Sequence, residues 1–495
     1  MKKIIIYSLL IFLFFLTGCS SFLEEHPEDR LVVSNFYTNS TDAEAAVDAV
    51  YSELYSIYER NMFLLCDLPA DTHKNGRGMP NTYLQALEFL RYDASNTFIR
   101  DVWEEYYQGI SRANTAITKL SNIDITDSVK NRYIGEAKFL RALYYFNLVR
   151  FFGDVPLVLS SENVSDAVGP RIDKEKIYAQ IISDLQNAIS NLPISYNSTN
   201  QGRATKGAAQ ILLGKVYLTK GDNKDAKEVL SEVISNESEY GYGLFDNYAD
   251  VWNPTTETGK EAVFYIEYQP APLQYNQEMS LIGPKYSISK SVGVSASYEA
   301  DIPTEELYDA FQDGDQRKDV TLRKIYVNPV NGDTVTSSIP LFAKYWQDGL
   351  SDPTKCEINF HIIRYSDAIL TYAEALNNLG ETTEALKQLN RVVERAYKGN
   401  ASRDYTSLSQ SEILDAILHE RWLEFPLEGQ RWFDLVRTGK FVERMKAHSA
   451  YEATHAEANK TQLADNIKDY MILMPIPQHE IDINSQLTQN PGWGE

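Results

Sequence analysis

Cysteine is scarce in this sequence, which has three in 495 residues, at Cys19, Cys66 and Cys356. So few cysteines exclude a small fold held by a disulfide framework and a metal cluster ligated by thiolates. We expect Cys66 and Cys356 to be buried as small apolar groups. One long-range disulfide between these two residues is the alternative.

Positive charge is in short supply as well. The chain has 47 Lys and Arg residues against 69 Asp and Glu residues, which gives a formal net charge of -22 at pH 7. Proteins that bind nucleic acid contact its phosphates through a basic patch. The acidic balance therefore argues against a nucleic-acid partner.

Motifs that carry catalysis or bind cofactors are missing. The sequence has no phosphate-binding loop, dinucleotide fingerprint, zinc-protease helix or nucleophile elbow. Ser287–Lys290 matches Ser-x-x-Lys without its companion motifs, and Asp313–Asp319 lacks the ligand pattern of a calcium loop and predicts an exposed turn. We therefore predict no enzyme, no catalytic residue, no cofactor and no recognisable metal site. Whether a calcium ion binds is not decided by the sequence.

The densest acidic cluster lies in residues 419–440. Glu420 and Glu424 stand four residues apart, on one face of a predicted helix, with Glu428 just beyond Pro426. A glycosidase pair must flank the scissile bond, which two neighbours on one helix face cannot do. We interpret the cluster as a structural ion-pair network with the interleaved arginines, which are Arg421, Arg431 and Arg437.

Long hydrophobic runs are limited to the N terminus. Ile4–Leu16 is almost entirely apolar, follows two lysines and is too short for a membrane span of about 20 residues. This is the pattern of a signal peptide, and Leu16–Cys19 resembles the lipobox of bacterial lipoproteins. We expect cleavage after residue 18 and stable anchoring through several acyl chains at Cys19. A plain signal peptide and an uncleaved anchor are the alternatives.

Helical periodicity dominates both ends of the remaining chain. Helices are predicted over 41–60 with Thr41 as N-cap, 97–121, 129–152 ending at Gly153, and 173–191. Aromatic residues on predicted helix faces are expected in the core: Trp103, Tyr107 and Trp432.

Two stretches have the spacing of a tetratricopeptide repeat, which is a pair of antiparallel helices. They are residues 204–235, with a turn at Gly221, and 362–395, with a turn at Gly380. Residues 240–345 between them are rich in Gly, Pro, Asn, Ser and Tyr, with a strand-like run at Ala262–Tyr268. The predicted fold is mainly α, a tetratricopeptide-like helix-hairpin scaffold with long irregular loops and a few short strands.

Several segments together resemble the RagB/SusD family. They are the mature start at Cys19 and residues 136–156, 364–380, 420–440 and 474–493. The expected organisation is a lipoprotein signal peptide (1–18), a SusD-like helical region (19–235), a loop-rich ligand-binding insertion (236–345) and a C-terminal RagB/SusD region (346–495). Residues 19–495 are expected to form one compact unit.

The resemblance implies a function as well as a fold. SusD-like lipoproteins are not enzymes; they cap a SusC-like TonB-dependent outer-membrane transporter and deliver nutrients, usually oligosaccharides and sometimes peptides. Acidic residues after the lipidated cysteine are associated with export to the outer surface, here Glu24, Glu25, Glu28 and Asp29. We expect an oligosaccharide-binding protein that is lipid-anchored in the outer membrane and faces the exterior. An oligopeptide binder, a secreted glycan hydrolase and a pure scaffold are the alternatives.

Ligand contacts are expected in the irregular segments. Sugars place C–H groups on aromatic faces and need fixed polar partners for their hydroxyls. The predicted ligand-binding residues are His73, Arg77, Asn81, Tyr83, Tyr275, Tyr286 and Trp346.

Overall fold

The computed structural model describes residues 37–76, 81–160, 168–269, 274–284, 297–328, 331–455 and 463–494. Helices dominate this part of the chain, so the predicted fold class is confirmed. The α-helices are α1 (Ser40–Tyr51), α2 (Glu53–Ser56), α3 (Met62–Asp67), α4 (Thr82–Glu88), α5 (Thr97–Leu120), α6 (Asp127–Phe152), α7 (Lys174–Asn191), α8 (Lys206–Lys220), α9 (Asn223–Ser235), α10 (Glu237–Tyr240), α11 (Glu278–Ile282), α12 (Glu305–Ala310), α13 (Arg317–Thr321), α14 (Tyr365–Asn378), α15 (Thr382–Ala396), α16 (Gln410–Glu424), α17 (Arg431–Arg437), α18 (Phe441–His455), α19 (Leu463–Asn466) and α20 (Gln478–Ile483).

The strands form three antiparallel two-stranded sheets. β1 (His73–Asn75) pairs with β3 (Asp301–Pro303), β2 (Ala262–Ile266) with β6 (Phe360–Arg364), and β4 (Leu322–Val327) with β5 (Thr334–Phe342). The predicted strand at 262–268 is thus present and ends at Ile266. Two of the three sheets join segments that are far apart in sequence.

The four N-terminal helix predictions hold with two corrections. Residues 41–60 are not one helix, because α1 and α2 are separate and a π-helical turn at Ile57–Asn61 follows. The N-cap of α1 is Asn39 instead of Thr41, since the Asn39 side chain accepts hydrogen bonds from the backbone N–H groups of Thr41 (2.8 Å) and Asp42 (3.1 Å). Gly153, with φ +70, ends α6 as expected.

The two predicted hairpins are α8–α9 and α14–α15. Gly221 (φ +84) and Gly380 (φ +79) make their turns in the left-handed region that favours glycine. A Cβ on Gly214 would lie 2.5 Å from Leu230 Cγ, so only glycine permits this approach of α8 to α9. The second hairpin begins later than predicted, because residues 362–364 belong to β6.

The helices form one continuous stack in which each packs on the next, from α5 through α6, α7, α8 and α9 to α14 and α15. The hairpins meet through a hydrogen bond from Asn378 Nδ2 to Asn223 Oδ1 (3.0 Å) and an ion pair of Lys227 with Glu381 (2.6 Å). The scaffold is therefore contiguous although its two repeat copies are distant in sequence.

The apolar core follows the predictions for aromatic residues and cysteines. Trp103 and Trp432 are buried, and Tyr107 is partly buried and donates its hydroxyl to Pro156 O (2.8 Å). Cys66 and Cys356 are buried free thiols, so the disulfide alternative does not hold. None of the helices in the described ranges combines the length and apolarity that a membrane crossing requires.

Two predictions about the chain's organisation stay predictions. The signal peptide, Cys19 and the acidic residues after it lie outside the described residues. The region boundaries at 235 and 345 are not decided by the helices and strands, which continue on both sides of them.

Candidate ligand-binding face

The acidic cluster at 420–428 is locked in buried ion pairs. Glu424 accepts from Arg364 Nη1 (2.9 Å) and from Arg395, and Glu428 accepts from Arg364 Nε (2.8 Å) and Lys344 Nζ (2.8 Å). Arg317 lies 2.8 Å from Glu420. We call these residues, together with Glu261, which binds Arg364 (2.7 Å) and Arg395 (3.1 Å), the charged core. The interpretation as a structural ion-pair network is confirmed.

The predicted partners within this network are wrong. Arg421 binds Asp367 and Asp434, Arg431 binds Asp71, and Arg437 binds Glu374 and Asp434. The carboxylates in these ion pairs are other than the three glutamates of the cluster. The cations that face the glutamates come from other segments, namely α13, β6, α15 and the residues after β5.

Glu424 in the charged core stays ionised at neutral pH. Burial alone would raise the pKa of Glu424, but Arg395, Arg364 and Arg317 outweigh it and hold that pKa below its ordinary value. The Glu424 side chain is also closed to solvent. This geometry offers a substrate neither access nor a general acid.

The predicted exposed turn at Asp313–Asp319 is only partly exposed. Gln312, Asp313 and Gly314 face solvent, but Asp315 is buried and accepts from Arg317 Nη2 (2.7 Å). The reason is that fully buried Arg317 needs more than one carboxylate, and Asp315 is two residues away.

Hydrogen bonds connect several of the segments that hold the predicted ligand residues. Next to the β1–β3 pair, Gly76 N donates to Ala300 O (2.8 Å), and Asn75 N donates to Glu88 in α4 (3.2 Å). Tyr298 N donates to Ser280 O (2.9 Å), which ties the residues just before β3 to α11. We call the surface made by residues 81–84, 274–284, 297–300 and 344–350 the tyrosine face.

His73 lies beneath this face and not on it. Its ring is 1% exposed, with Nδ1 2.8 Å from Asp301 and Nε2 3.5 Å from Asp67. Burial lowers the pKa of His73, but the two carboxylates outweigh burial and raise it. The contact with Asp301 joins β1 to β3, so the structure gives His73 the role of holding the two strands together. Its predicted ligand contact has no support from this placement.

Tyr83 is presented by a helix N-terminus. Asn81 caps α4 by accepting from the backbone N–H groups of Tyr83 (2.8 Å) and Leu84 (3.2 Å). This places Tyr83 on the first turn of α4 with 41% of its surface exposed. Asn81 therefore positions Tyr83, and Tyr83 is available to a ligand.

The other predicted ligand-binding residues differ in how the structure places them. Tyr275 is half-buried on the segment before α11. Trp346 is 8% exposed, with its ring against Gly283 and the edge of Tyr326, and its Nε1 donates to Asp348 (3.0 Å), so it forms a wall of the face. Arg77 and Tyr286 lie outside the described residues.

Tyr298 is a residue of this face that the sequence prediction missed. It is 44% exposed and lies three residues before β3, where its backbone N donates to Ser280 O in α11. A single aromatic residue within the small and polar stretch Ser295–Glu299 is the local signal that could have indicated it.

Comparison with known proteins decides the family. Residues 331–493 match the family model "SusD family", and residues 21–218 match the model "Starch-binding associating with outer membrane". A solved structure, "Laminarin binding SusD-like protein", has 30% identity with a TM-score of 0.78 and covers 92% of this chain and 100% of its own. The chain belongs to the SusD family.

Curated SusD relatives extend the comparison. "SusD-like protein P2" of Formosa agariphila is 29% identical over 100% of both chains. "Starch-binding protein SusD" of Bacteroides thetaiotaomicron is 25% identical over 74% of each chain. The second of these relatives and the solved structure are named for binding starch and laminarin. The two family models leave residues 219–330 unmatched, and this range contains Tyr275 and Tyr298.

Proposed function

We propose that this protein binds oligosaccharides on the tyrosine face and delivers them to a SusC-like TonB-dependent transporter at the outer membrane. The observation that carries the proposal is the 30% identity, over 92% of this chain, with a laminarin-binding SusD-like protein of the same fold. The starch-binding name of a second relative points to the same class of ligand.

The chemistry of the tyrosine face supports a sugar ligand. Tyr83 and Tyr298 expose ring surface on which the C–H groups of a pyranose can pack. Asp348 accepts from Trp346 Nε1 and pairs with Arg323 (2.7 Å), and with 71% of its side chain exposed its carboxylate can also accept from hydroxyl groups. Exposed rings and polar acceptors are the two kinds of group that bind oligosaccharides.

Absence of catalysis is part of the proposal. The carboxylates that would be candidates for glycoside hydrolysis, Glu420, Glu424 and Glu428, are buried in the charged core and paired with cations. An acid–base pair must instead flank the scissile bond of a bound sugar. We infer that ligands leave this protein unmodified.

The lipid anchor and the surface location are also proposals. The sequence before the described residues has the pattern of a signal peptide, and Leu16–Cys19 resembles a lipobox. The description of the N-terminal family model, which refers to association with the outer membrane, supports this location. Glu24, Glu25, Glu28 and Asp29 would then serve as the export signal to the outer surface.

Calorimetry with defined ligands tests the binding proposal. Linear β-1,3-glucan oligosaccharides, α-1,4-glucan oligosaccharides and a peptide mixture are titrated separately, and the glycans are analysed afterwards for cleavage. We expect saturable binding of one glycan class and no cleavage products. Binding of peptides alone would favour the oligopeptide alternative, and glycan cleavage would favour a hydrolase.

Extraction in mild detergent tests the partner. Affinity-tagged protein is solubilised from the outer membrane, and we expect a larger barrel protein of the SusC type to co-purify. The Cys19→Ala variant, which lacks the acylated thiol, should no longer fractionate with the membrane. Recovery of the wild-type lipoprotein alone would contradict the transporter proposal.

A further inference from the structure

Three metal-ligating side chains meet where the C-terminal segment crosses α5. Glu104 lies on α5, and His479 and Glu480 lie on the first turn of α20. One ligand atom from each lies within 4.8 Å of the other two. The ligands come from opposite ends of the chain, which is why spacing in the sequence predicts no metal site here.

The backbone fixes these ligands in place. Gln478 N donates to Ala94 O (2.9 Å) just before α5, and Met474 N donates to Phe151 O (2.7 Å) at the end of α6. Gln489 accepts from Ile476 N (2.7 Å) and so closes the C-terminal segment on itself. The turn that bears His479 and Glu480 is therefore held against α5 by main-chain contacts.

Negative charge at this position exceeds the positive charge that faces it. Arg100 Nε lies 3.5 Å from Glu104, but the same guanidinium donates to Asp101 (2.7 Å). Three carboxylates, those of Asp101, Glu104 and Glu480, thus surround one arginine. A divalent cation would offset the repulsion among these carboxylates.

We infer that Glu104, His479 and Glu480 form a binding site for Zn²⁺. One imidazole nitrogen with two carboxylate oxygens suits zinc, whereas calcium takes six to eight oxygen ligands. Tetrahedral zinc with ligands at about 2.0–2.2 Å needs the ligand atoms roughly 3.4 Å apart. Glu104 and His479 are exposed, so rotation of their side chains supplies the adjustment from the observed spacing.

The consequence of zinc binding is a link between distant parts of the chain. The metal would join α20, close to the C-terminus, to α5 in the N-terminal half of the described structure. A ligand that binds the folded state and not the unfolded state raises stability by mass action. Zinc should therefore raise the thermal unfolding midpoint.

The test is calorimetric titration of ZnCl₂ into chelator-treated protein without a histidine tag. We expect one saturable site in the wild type and an increase in the unfolding midpoint. His479→Ala should weaken binding at least about 100-fold, since loss of even an outer partner of a metal ligand costs 10–100-fold. Glu104→Gln should weaken it at least about tenfold.

His455→Ala is the matched control, because His455 is exposed and stacks on Tyr451. It should bind zinc as the wild type does. A wild type without saturable zinc binding, or a His479→Ala variant with unchanged affinity and the wild-type unfolding midpoint in chelator, would overturn the site. Tighter binding of CaCl₂ than of ZnCl₂ would overturn the choice of metal.

Discussion

The charged core and the tyrosine face use opposite kinds of chemistry. In the charged core, four glutamates bind three arginines and a lysine with almost no access to solvent. The tyrosine face exposes the neutral rings of Tyr83 and Tyr298. It also includes Trp346, which is nearly buried. The most chemically suggestive motif in the sequence thus serves the fold, and the segments without a motif carry the surface that a ligand can reach.

The difference has an energetic reason. A buried charge is tolerated only when opposite charges and hydrogen bonds compensate for its lost hydration, so each member of the charged core depends on the others. Removal of an exposed ring costs the protein little stability, because the ring makes few contacts in the folded state. Substitutions in the two regions should therefore separate stability from affinity.

The largest expected effect is that of Glu424→Ala in the charged core. It would leave Arg364 and Arg395 without a principal partner, and breaking a buried ion pair costs about 3–5 kcal/mol. Urea denaturation should show this loss, while glycan affinity of the folded protein stays unchanged. Glu443→Ala is the control, since Glu443 has 79% of its side chain exposed, and it should leave the denaturation curve unchanged.

Glu257 is a second buried glutamate, and Glu257→Gln tests how its stability contribution depends on pH in comparison with Glu424. Burial raises the pKa of Glu257 to about 8, and its carboxylate accepts from Asn359 N (2.8 Å). Because the folded pKa lies above the unfolded value of about 4.3, the wild type loses stability as pH rises from about 4.5 to 8.

Glutamine imitates the protonated acid and cannot ionise. We expect Glu257→Gln to match the wild type near pH 4 and to exceed it by roughly 4 kcal/mol at pH 8, measured by urea denaturation across this pH range. Glu424→Gln should do the reverse and lose stability at neutral pH, since cations hold the pKa of Glu424 low. Parallel pH profiles for the two variants would contradict the assignment.

Tyr83→Ala and Tyr298→Ala address the other side of the comparison. Each should weaken glycan binding by about 1–2 kcal/mol, because a ring that packs on the sugar is lost, with little change in the unfolding midpoint. Calorimetry measures the first effect and thermal denaturation the second. Tyr83→Phe keeps the ring and should keep most of the affinity. Unchanged affinity in both alanine variants would place the ligand elsewhere.

The smallest effect is expected for Lys227→Ala. Lys227 and Glu381 form an exposed ion pair between the two helix hairpins, and such pairs contribute little because water competes with them. The denaturation curve should not change measurably. A clear loss of stability would show that surface charge, and not only the charged core, holds the scaffold together.

Local sequence signals predicted the scaffold well. Gly221 and Gly380 mark turns whose conformation depends on a few neighbouring residues, and Gly214 marks a close approach of adjacent helices. The N-cap of α1 was misplaced by two residues because Asn39 and Thr41 are both good capping residues, and only the backbone conformation distinguishes them.

Ion pairs between distant segments could not be predicted from the sequence. Arg317, Arg364 and Arg395 come to Glu424 from three separate segments, so nearby arginines in the motif were the wrong choice. The same limit applies to the face. The irregular segment around Tyr83 indicated that residue. Nothing local indicates that His73 contacts Asp67 and Asp301, because Asp301 is more than two hundred residues away in the sequence.

The two buried thiols give each compared region an internal reporter. Cys66 lies 3.8 Å from where a Cβ on Gly429 would sit, beside the charged core, and Cys356 donates to Tyr345 O (3.4 Å) behind the tyrosine face. Burial raises the pKa of both thiols, that of Cys356 to about 12, so neither forms the reactive thiolate in the folded state. Each cysteine can be alkylated only after local unfolding exposes it. The alkylation rate of each cysteine, measured separately by mass spectrometry, would therefore show which of the two regions unfolds locally more often.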